Sequence, residues 1–112
     1  TAMKLLKTAK RPNALFTSNS LLAVGALLAI QEQRLAIPKD IAFASFDDTT
    51  WTKLVTPSIT VVQQPTYEIG RTATELLINR INDPSRSNRE VVLNTKLVIR
   101  QSCGCSGSEQ EQ

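Results

Sequence analysis

Histidine is absent from this chain of 112 residues. That removes the commonest general base and the commonest metal ligand together. Cysteine is nearly absent: Cys103 and Cys105 sit in a Gly/Ser-rich end. A structural metal site wants four ligands, so a lone C-x-C does not make one. A thiol nucleophile would need a base partner that is missing here. No metal, no cofactor and no catalytic residue is therefore expected. Nothing in the cysteine usage demands an oxidising compartment, and a reduced thiol pair in the cytoplasm is the simple reading. Glycines number only four. They form no phosphate-cradling loop and no G-x-S-x-G elbow.

Aromatic residues are scarce as well, with three Phe, one Tyr and one Trp. The net charge is +3, but the basic residues are dispersed. The densest spots are Lys4, Lys7, Lys10 and Arg11 near the start, and Arg86 and Arg89 in a loop. No basic run alternates with aromatics, so this stretch is not expected to grip nucleic acid itself. The longest nearly apolar run, Leu21 to Ile30, is too short to span a bilayer. It lies inside the chain, unlike a signal peptide. No membrane partner is expected.

What is present suits one folded domain. Hydrophobic residues make up 41% and charged residues 21%, enough to bury a core. Thr1 is followed by Ala2, Leu5, Leu6 and Ala9 at helical spacing, so the chain opens in mid-pattern. It is expected to be a piece of a longer or processed protein. A helix is predicted from Thr1 to Ala9, stopped before Pro12. Ala14 to Thr17 reads as a short buried strand. Ser18, Asn19 and Ser20 offer three successive helix caps. The helix that follows, Leu21 to Gln33, is apolar on more than one face and predicts cover on two sides. Ile41 to Phe46 is nearly continuously apolar, as a parallel strand buried on both faces would be. Asp47 to Pro57 reads as a loop. Ile59 to Gln63 is a third strand. Pro65 suits a first helical turn, and that helix runs to Asn82 with Ile69, Ala73, Leu76, Leu77 and Ile81 on one face. Val91 to Arg100 is a last extended stretch, and residues 104–112 are a flexible tail. Strands alternating with helices predict an α/β fold with a parallel sheet.

In open parallel sheets ligands bind beyond the carboxyl ends of the strands. Three strands here end on polar groups: Thr17-Ser18-Asn19, Asp47-Asp48 and Gln63-Gln64. Side by side, they would bring an amide, a carboxylate and a second amide to one rim. A carboxylate accepts from adjacent hydroxyls, while Asn and Gln both donate and accept. Trp51 could lay a ring face against the C–H side of a sugar. The set suits a polyhydroxylated small molecule. Plainer roles stand beside this one. Asn19 would cap a helix, Asp47 or Asp48 would shape a turn, Trp51 would plug the loop and Gln64 would merely precede a helix. Two adjacent carboxylates in extended chain face opposite sides and cannot flank one bond as a glycosidase pair does.

These motifs resemble the lac/gal repressor (LacI/GalR) family. The resemblance lies in Ala14-Leu15-Phe16-Thr17-Ser18-Asn19-Ser20, Val24-Gly25-Ala26-Leu27 and Ile37-Pro38-Lys39-Asp40-Ile41. It continues through Ser45-Phe46-Asp47-Asp48, the run from Thr56 to Pro65, Ile69-Gly70-Arg71 and Arg100-Gln101-Ser102-Cys103. It covers residues 1–103. It implies the C-terminal part of an effector-binding domain of the type I periplasmic-binding-protein fold, mostly the C-terminal lobe, with helix 65–82 crossing to the N-terminal lobe. It further implies a small-molecule effector, a sugar or derivative, held by Asn19, Asp47, Trp51 and Gln64. The family pattern often carries Asp after that Asn, and here Ser20 stands in its place. A homodimer would form through Val24, Leu28, Leu54 and Val55. Operator DNA would be met only through an N-terminal helix-turn-helix that these residues do not include. The alternatives are a periplasmic sugar-binding protein of a transport system and, third, an enzyme of sugar metabolism.

Overall fold

The computed structural model describes residues 2–105. Thr1 and the stretch from Ser106 to Gln112, most of the expected tail, lie outside the described residues. The chain divides into two compact units. One comprises residues up to Gln63 together with those from Leu97 onward; the other is Gln64–Lys96.

In the first unit the elements run α1 (Ala2–Leu6), β1 (Ala14–Thr17), α2 (Ser20–Glu32), β2 (Ala42–Phe46), α3 (Thr50–Leu54) and β3 (Thr60–Gln63). Strand β4 (Lys96–Val98) completes a four-stranded sheet in the order β1-β2-β3-β4, and a 3-10 turn spans Gln101–Cys103. Strands β1 and β2 pair in parallel with Thr17 opposite Ser45. Strands β2 and β3 pair in parallel with Phe46 opposite Val62. The α/β class and the parallel pairing are as expected.

The core is small and aliphatic. Leu6, Ala23, Ala26, Ala29, Ile30, Ile41, Phe43, Ile59 and Val61 are buried together. Each of the larger of these side chains contributes about 1.5–3 kcal/mol by leaving water. Strand β2 alternates, with Phe43 and Ser45 buried and Ala42, Ala44 and Phe46 half-buried. The continuous apolar run is therefore fully covered on one face only. Helix α2 behaves likewise. Its alanines and Ile30 face the core, whereas Leu21, Leu22, Val24 and Leu28 are exposed. The predicted second cover of this helix is not supplied by the described residues.

Helix α2 ends on a device that sequence periodicity did not reveal. Arg34 takes a left-handed conformation at φ 54°. Its N–H donates to the Gln31 carbonyl at 2.9 Å, and the Leu35 N–H donates to Ile30 at 3.1 Å. This 5→2 and 6→1 pair satisfies the last carbonyls and usually calls for glycine at the left-handed position. Arg34→Gly is therefore expected to raise stability by up to about 1 kcal/mol, because the Cβ clash disappears. A higher urea midpoint at unchanged slope would register it.

Two local expectations need correction. Residues 50–54, expected as loop, form a helical turn, α3. It is too short for periodicity to show, and the buried Thr52 hydroxyl holds it by reaching the Thr49 carbonyl at 2.6 Å. The last extended stretch is a strand only at Lys96–Val98. After it the chain tucks in, and Ser102, fully buried, bridges two strands. Its hydroxyl donates to the Phe43 carbonyl at 2.6 Å and accepts from the Thr60 N–H at 2.8 Å.

The second unit is built on α4 (Thr66–Asn82), which has no buried residue. Tyr67, Ile69, Leu77, Ile78 and Ile81 are all exposed. Such an apolar stripe on a helix is a packing face.

Candidate functional site

The rim is set by strand register. Thr17 and Ser45 are partners on neighbouring parallel strands, so Asn19 and Asp47, each two residues further on, emerge from adjacent strand ends. Beneath them the two hydroxyls meet: Thr17 Oγ1 donates to Ser45 Oγ at 2.9 Å in a buried bond. This satisfied pair lets polar side chains sit under the rim without desolvation cost.

Asp47 departs from strand geometry at φ 79°. Its N–H donates to the Val62 carbonyl at 2.9 Å, which ties the turn to β3. A left-handed aspartate is strained relative to glycine, and such strain collects at functional positions. The kink separates the two acids. Asp47 is half-buried at the strand end, while the Asp48 side chain is only 3% exposed.

Asp48 is a structural anchor. Arg100 Nη2 lies 2.8 Å from Asp48 Oδ2, and the Thr52 hydroxyl lies 2.7 Å from Oδ1. Arg100 also donates from Nη1 to the Ile59 carbonyl at 2.9 Å and to Thr52 Oγ1 at 3.1 Å. Burial alone would push the Asp48 carboxyl up. The hydrogen bonds from Arg100 and Thr52 and the charges of Arg100 and Lys53 outweigh it, so the carboxyl is held below its ordinary value of 3.8. Sequence reading missed Arg100 as this partner. The signal available was the adjacent pair of acids, one of which had to face inward.

Asn19 caps α2: its backbone is extended at φ −163°, and its Oδ1 accepts from the Leu22 N–H at 2.8 Å. Capping uses the amide oxygen; the amide also carries two N–H donors. Next to it, Ser20 Oγ accepts from the Trp51 indole N–H at 3.1 Å and stands 3.5 Å from Thr49 Oγ1. Ser20 thus has a defined task in place of the aspartate common in the resembling family. Trp51 is half-buried and packs against the core, so filling space is part of its role.

Within the first unit the structure therefore sets Asn19 and Asp47 at neighbouring strand ends and ties Trp51 to the residue after Asn19. Gln64 follows the last residue of β3 directly and opens the second unit. Val24, Leu28, Leu54 and Val55 are all solvent-exposed in the first unit. The rim carries a carboxylate, an amide and hydroxyls, a set that accepts and donates hydrogen bonds to several hydroxyls of one small molecule. Among the described residues no three cysteine, aspartate or glutamate side chains cluster to hold a metal ion. No helix there is long and apolar enough to cross a membrane.

Comparison with known proteins gives a consistent picture. The model of the periplasmic binding protein-like domain family matches residues 1–103. The ribose operon repressor of Haemophilus influenzae is 38% identical over 98 residues, covering 88% of this chain and 30% of the repressor. Among solved structures, a LacI family transcriptional regulator from Enterococcus faecium with bound ribose is similar at 29% identity and a TM-score of 0.79. That match covers 90% of this chain and 37% of the regulator. The complex of the transcriptional regulator CelR with cellobiose is similar at 32% identity and a TM-score of 0.82, covering 90% and 31%. The chain thus spans about a third of the length of the proteins it matches. Read together with the parallel sheet and its polar rim, these matches mean that the chain belongs to the periplasmic binding protein-like domain family, in the form carried by LacI-type transcriptional regulators.

Proposed function

We propose that residues 1–103 are the C-terminal part of the effector-binding domain of a LacI-type regulator that senses a small sugar or sugar derivative in the cytoplasm. The observation that carries this reading is the left-handed Asp47 at the end of β2, beside the strand end that bears Asn19. In this reading Asp47 accepts from effector hydroxyls, Asn19 donates from its amide, Trp51 offers a ring face and Gln64 stands at the junction of two lobes. The sugar-bound relatives support the ligand class. The repressor among the relatives supports binding rather than turnover. Helix 65–82 would reach into the other lobe, and the uncovered apolar stripe of α4 supports that assignment.

Effector binding would close the two lobes and shift a two-state equilibrium between DNA-binding arrangements. Operator contact would come from a helix-turn-helix in a longer chain. The exposed Val24, Leu28, Leu54 and Val55 support an isologous homodimer through α2 and the C-terminal end of α3.

The two roles of Asn19 can be separated. Asn19→Ala should cost about 1 kcal/mol of stability through the lost cap. Asn19→Ser should keep the cap and lose the amide donors. In a protein of the relatives' length, calorimetry with ribose and other simple sugars should show one of them binding, and Asn19→Ser should weaken that affinity at unchanged melting temperature. If no sugar bound to the full-length regulator, the sugar-sensing reading would fail.

A further inference from the structure

The second dense spot of positive charge, Arg86 and Arg89, has no role in the effector rim. In the second unit the segment after α4 folds back on the helix. Asp83 Oδ1 accepts from the Ser85 N–H at 3.2 Å and the Ser85 hydroxyl at 2.5 Å, and the Arg86 N–H donates to the Asp83 carbonyl at 3.2 Å. Arg80 of α4 then pins the returning chain. Its Nη2 donates to Asn88 Oδ1 at 2.6 Å and to the Arg86 carbonyl at 3.3 Å.

Between helix and returning chain lies a cavity of about 160 Å³, whose polar lining is Asn79, Arg80, Arg86, Ser87, Asn88 and Arg89. Three arginines line it and no acidic residue does. Ion pairs elsewhere among the described residues join Asp48 to Lys53 and Arg100, and Arg71 to Glu68 and Glu75. None involves Arg80, Arg86 or Arg89. Like charges gathered around one hollow repel each other, and an anion seated there relieves the repulsion. The planar fork of arginine matches phosphate oxygens two at a time, and amide and hydroxyl donors complete such a shell.

We propose that this cavity binds the phosphate group of a small phosphomonoester, with Arg86 and Arg89 as its main donors and Arg80 framing the loop. The volume is small beside the roughly 300–1,000 Å³ of sites that enclose a whole small molecule. The anionic head enters, and the rest of the ligand stays outside. The site lies wholly within Gln64–Lys96 and does not depend on the sugar-sensing reading. It would give the protein a second chemical input.

The test is a titration of the 112-residue chain, by calorimetry and by NMR of the arginine Nε–H signals. The probes are inorganic phosphate, glycerol phosphate, and chloride at matched ionic strength. Saturable one-to-one binding of either phosphate probe, with chloride silent, is expected. The Arg86→Gln/Arg89→Gln double variant should weaken it roughly tenfold or more. Circular dichroism and melting temperature should stay unchanged, because both side chains are exposed. Tighter binding of the ester would identify a metabolite head group, and tighter binding of inorganic phosphate the free ion; both retain the site. Failure to saturate, an equal response to chloride, or unchanged affinity in the double variant would overturn it.

Discussion

Replacing Asp48 with alanine is expected to destabilise the chain by about 3–5 kcal/mol, because it leaves the Arg100 guanidinium buried without its counter-charge. Arg100 is 13% exposed and Asp48 3%, so water cannot take the missing partner's place. A loss of that size is a large share of the stability of any small domain. It should lower the melting temperature by roughly 15 °C or more. Lys53 is the internal control. It also faces Asp48, at 3.6 Å, but its side chain is 61% exposed. Lys53→Ala should therefore cost no more than about 1 kcal/mol. If the two variants melted alike, the buried pair would not be the anchor inferred from its geometry.

The same pair predicts a pH dependence with a definite sign. The Asp48 carboxyl is held below its ordinary 3.8 in the folded chain. A depressed folded value means that the stabilisation is present above 3.8 and is lost as the pH falls through and below that value. Asp48→Asn removes this contribution. The difference in stability between the parent chain and Asp48→Asn should be constant at neutral pH and shrink below about pH 4. Denaturant midpoints measured across that range would read it, and a difference that grew on acidification would contradict the sign.

The second large effect concerns Asp47 in a regulator of the relatives' length. Loss of a charged acceptor facing ligand hydroxyls is worth about 1.5–3 kcal/mol, or roughly ten- to 150-fold in affinity. Alanine is the wrong probe here, since it would add backbone strain at φ 79° to the lost carboxylate. Asparagine tolerates the left-handed region and removes only the charge. Glycine relieves the backbone and removes the whole group. Asp47→Asn is therefore expected to keep the left-handed turn and lose affinity. Asp47→Gly should relieve the backbone, give up whatever the side chain holds in the folded chain, and lose more affinity. Calorimetry with whichever sugar the parent protein binds, beside thermal melts, separates these outcomes. Normal affinity in Asp47→Gly would remove Asp47 from the binding reading and leave it a turn-former.

The alternation of elements was legible because each rests on local pattern. Apolar spacing marked α2 and α4, runs such as Ile41 to Phe46 marked strands, and Asn19 announced its own cap. Helix α3 was not legible: it is a single turn whose hold is Thr52, and one turn carries no period. The left-handed Arg34 was hidden because nothing in an arginine codes for that conformation. It is imposed by the carbonyls that the end of the helix must satisfy.

The candidate rim divides along the same line. Order and composition alone placed Asn19, Asp47 and Gln64 after successive strands, because a parallel sheet puts all its carboxyl ends on one side. Composition alone also set the scarcity of catalytic groups, through the missing histidine. What only the tertiary structure decided is which acid faces which way. Asp48 goes inward because Arg100, 52 residues further along, arrives with Thr52 to neutralise it. Asp47 stays at the rim because the chain turns left-handed there. A pairing between residues so far apart leaves no periodic trace, since it depends on where the sheet brings the returning chain.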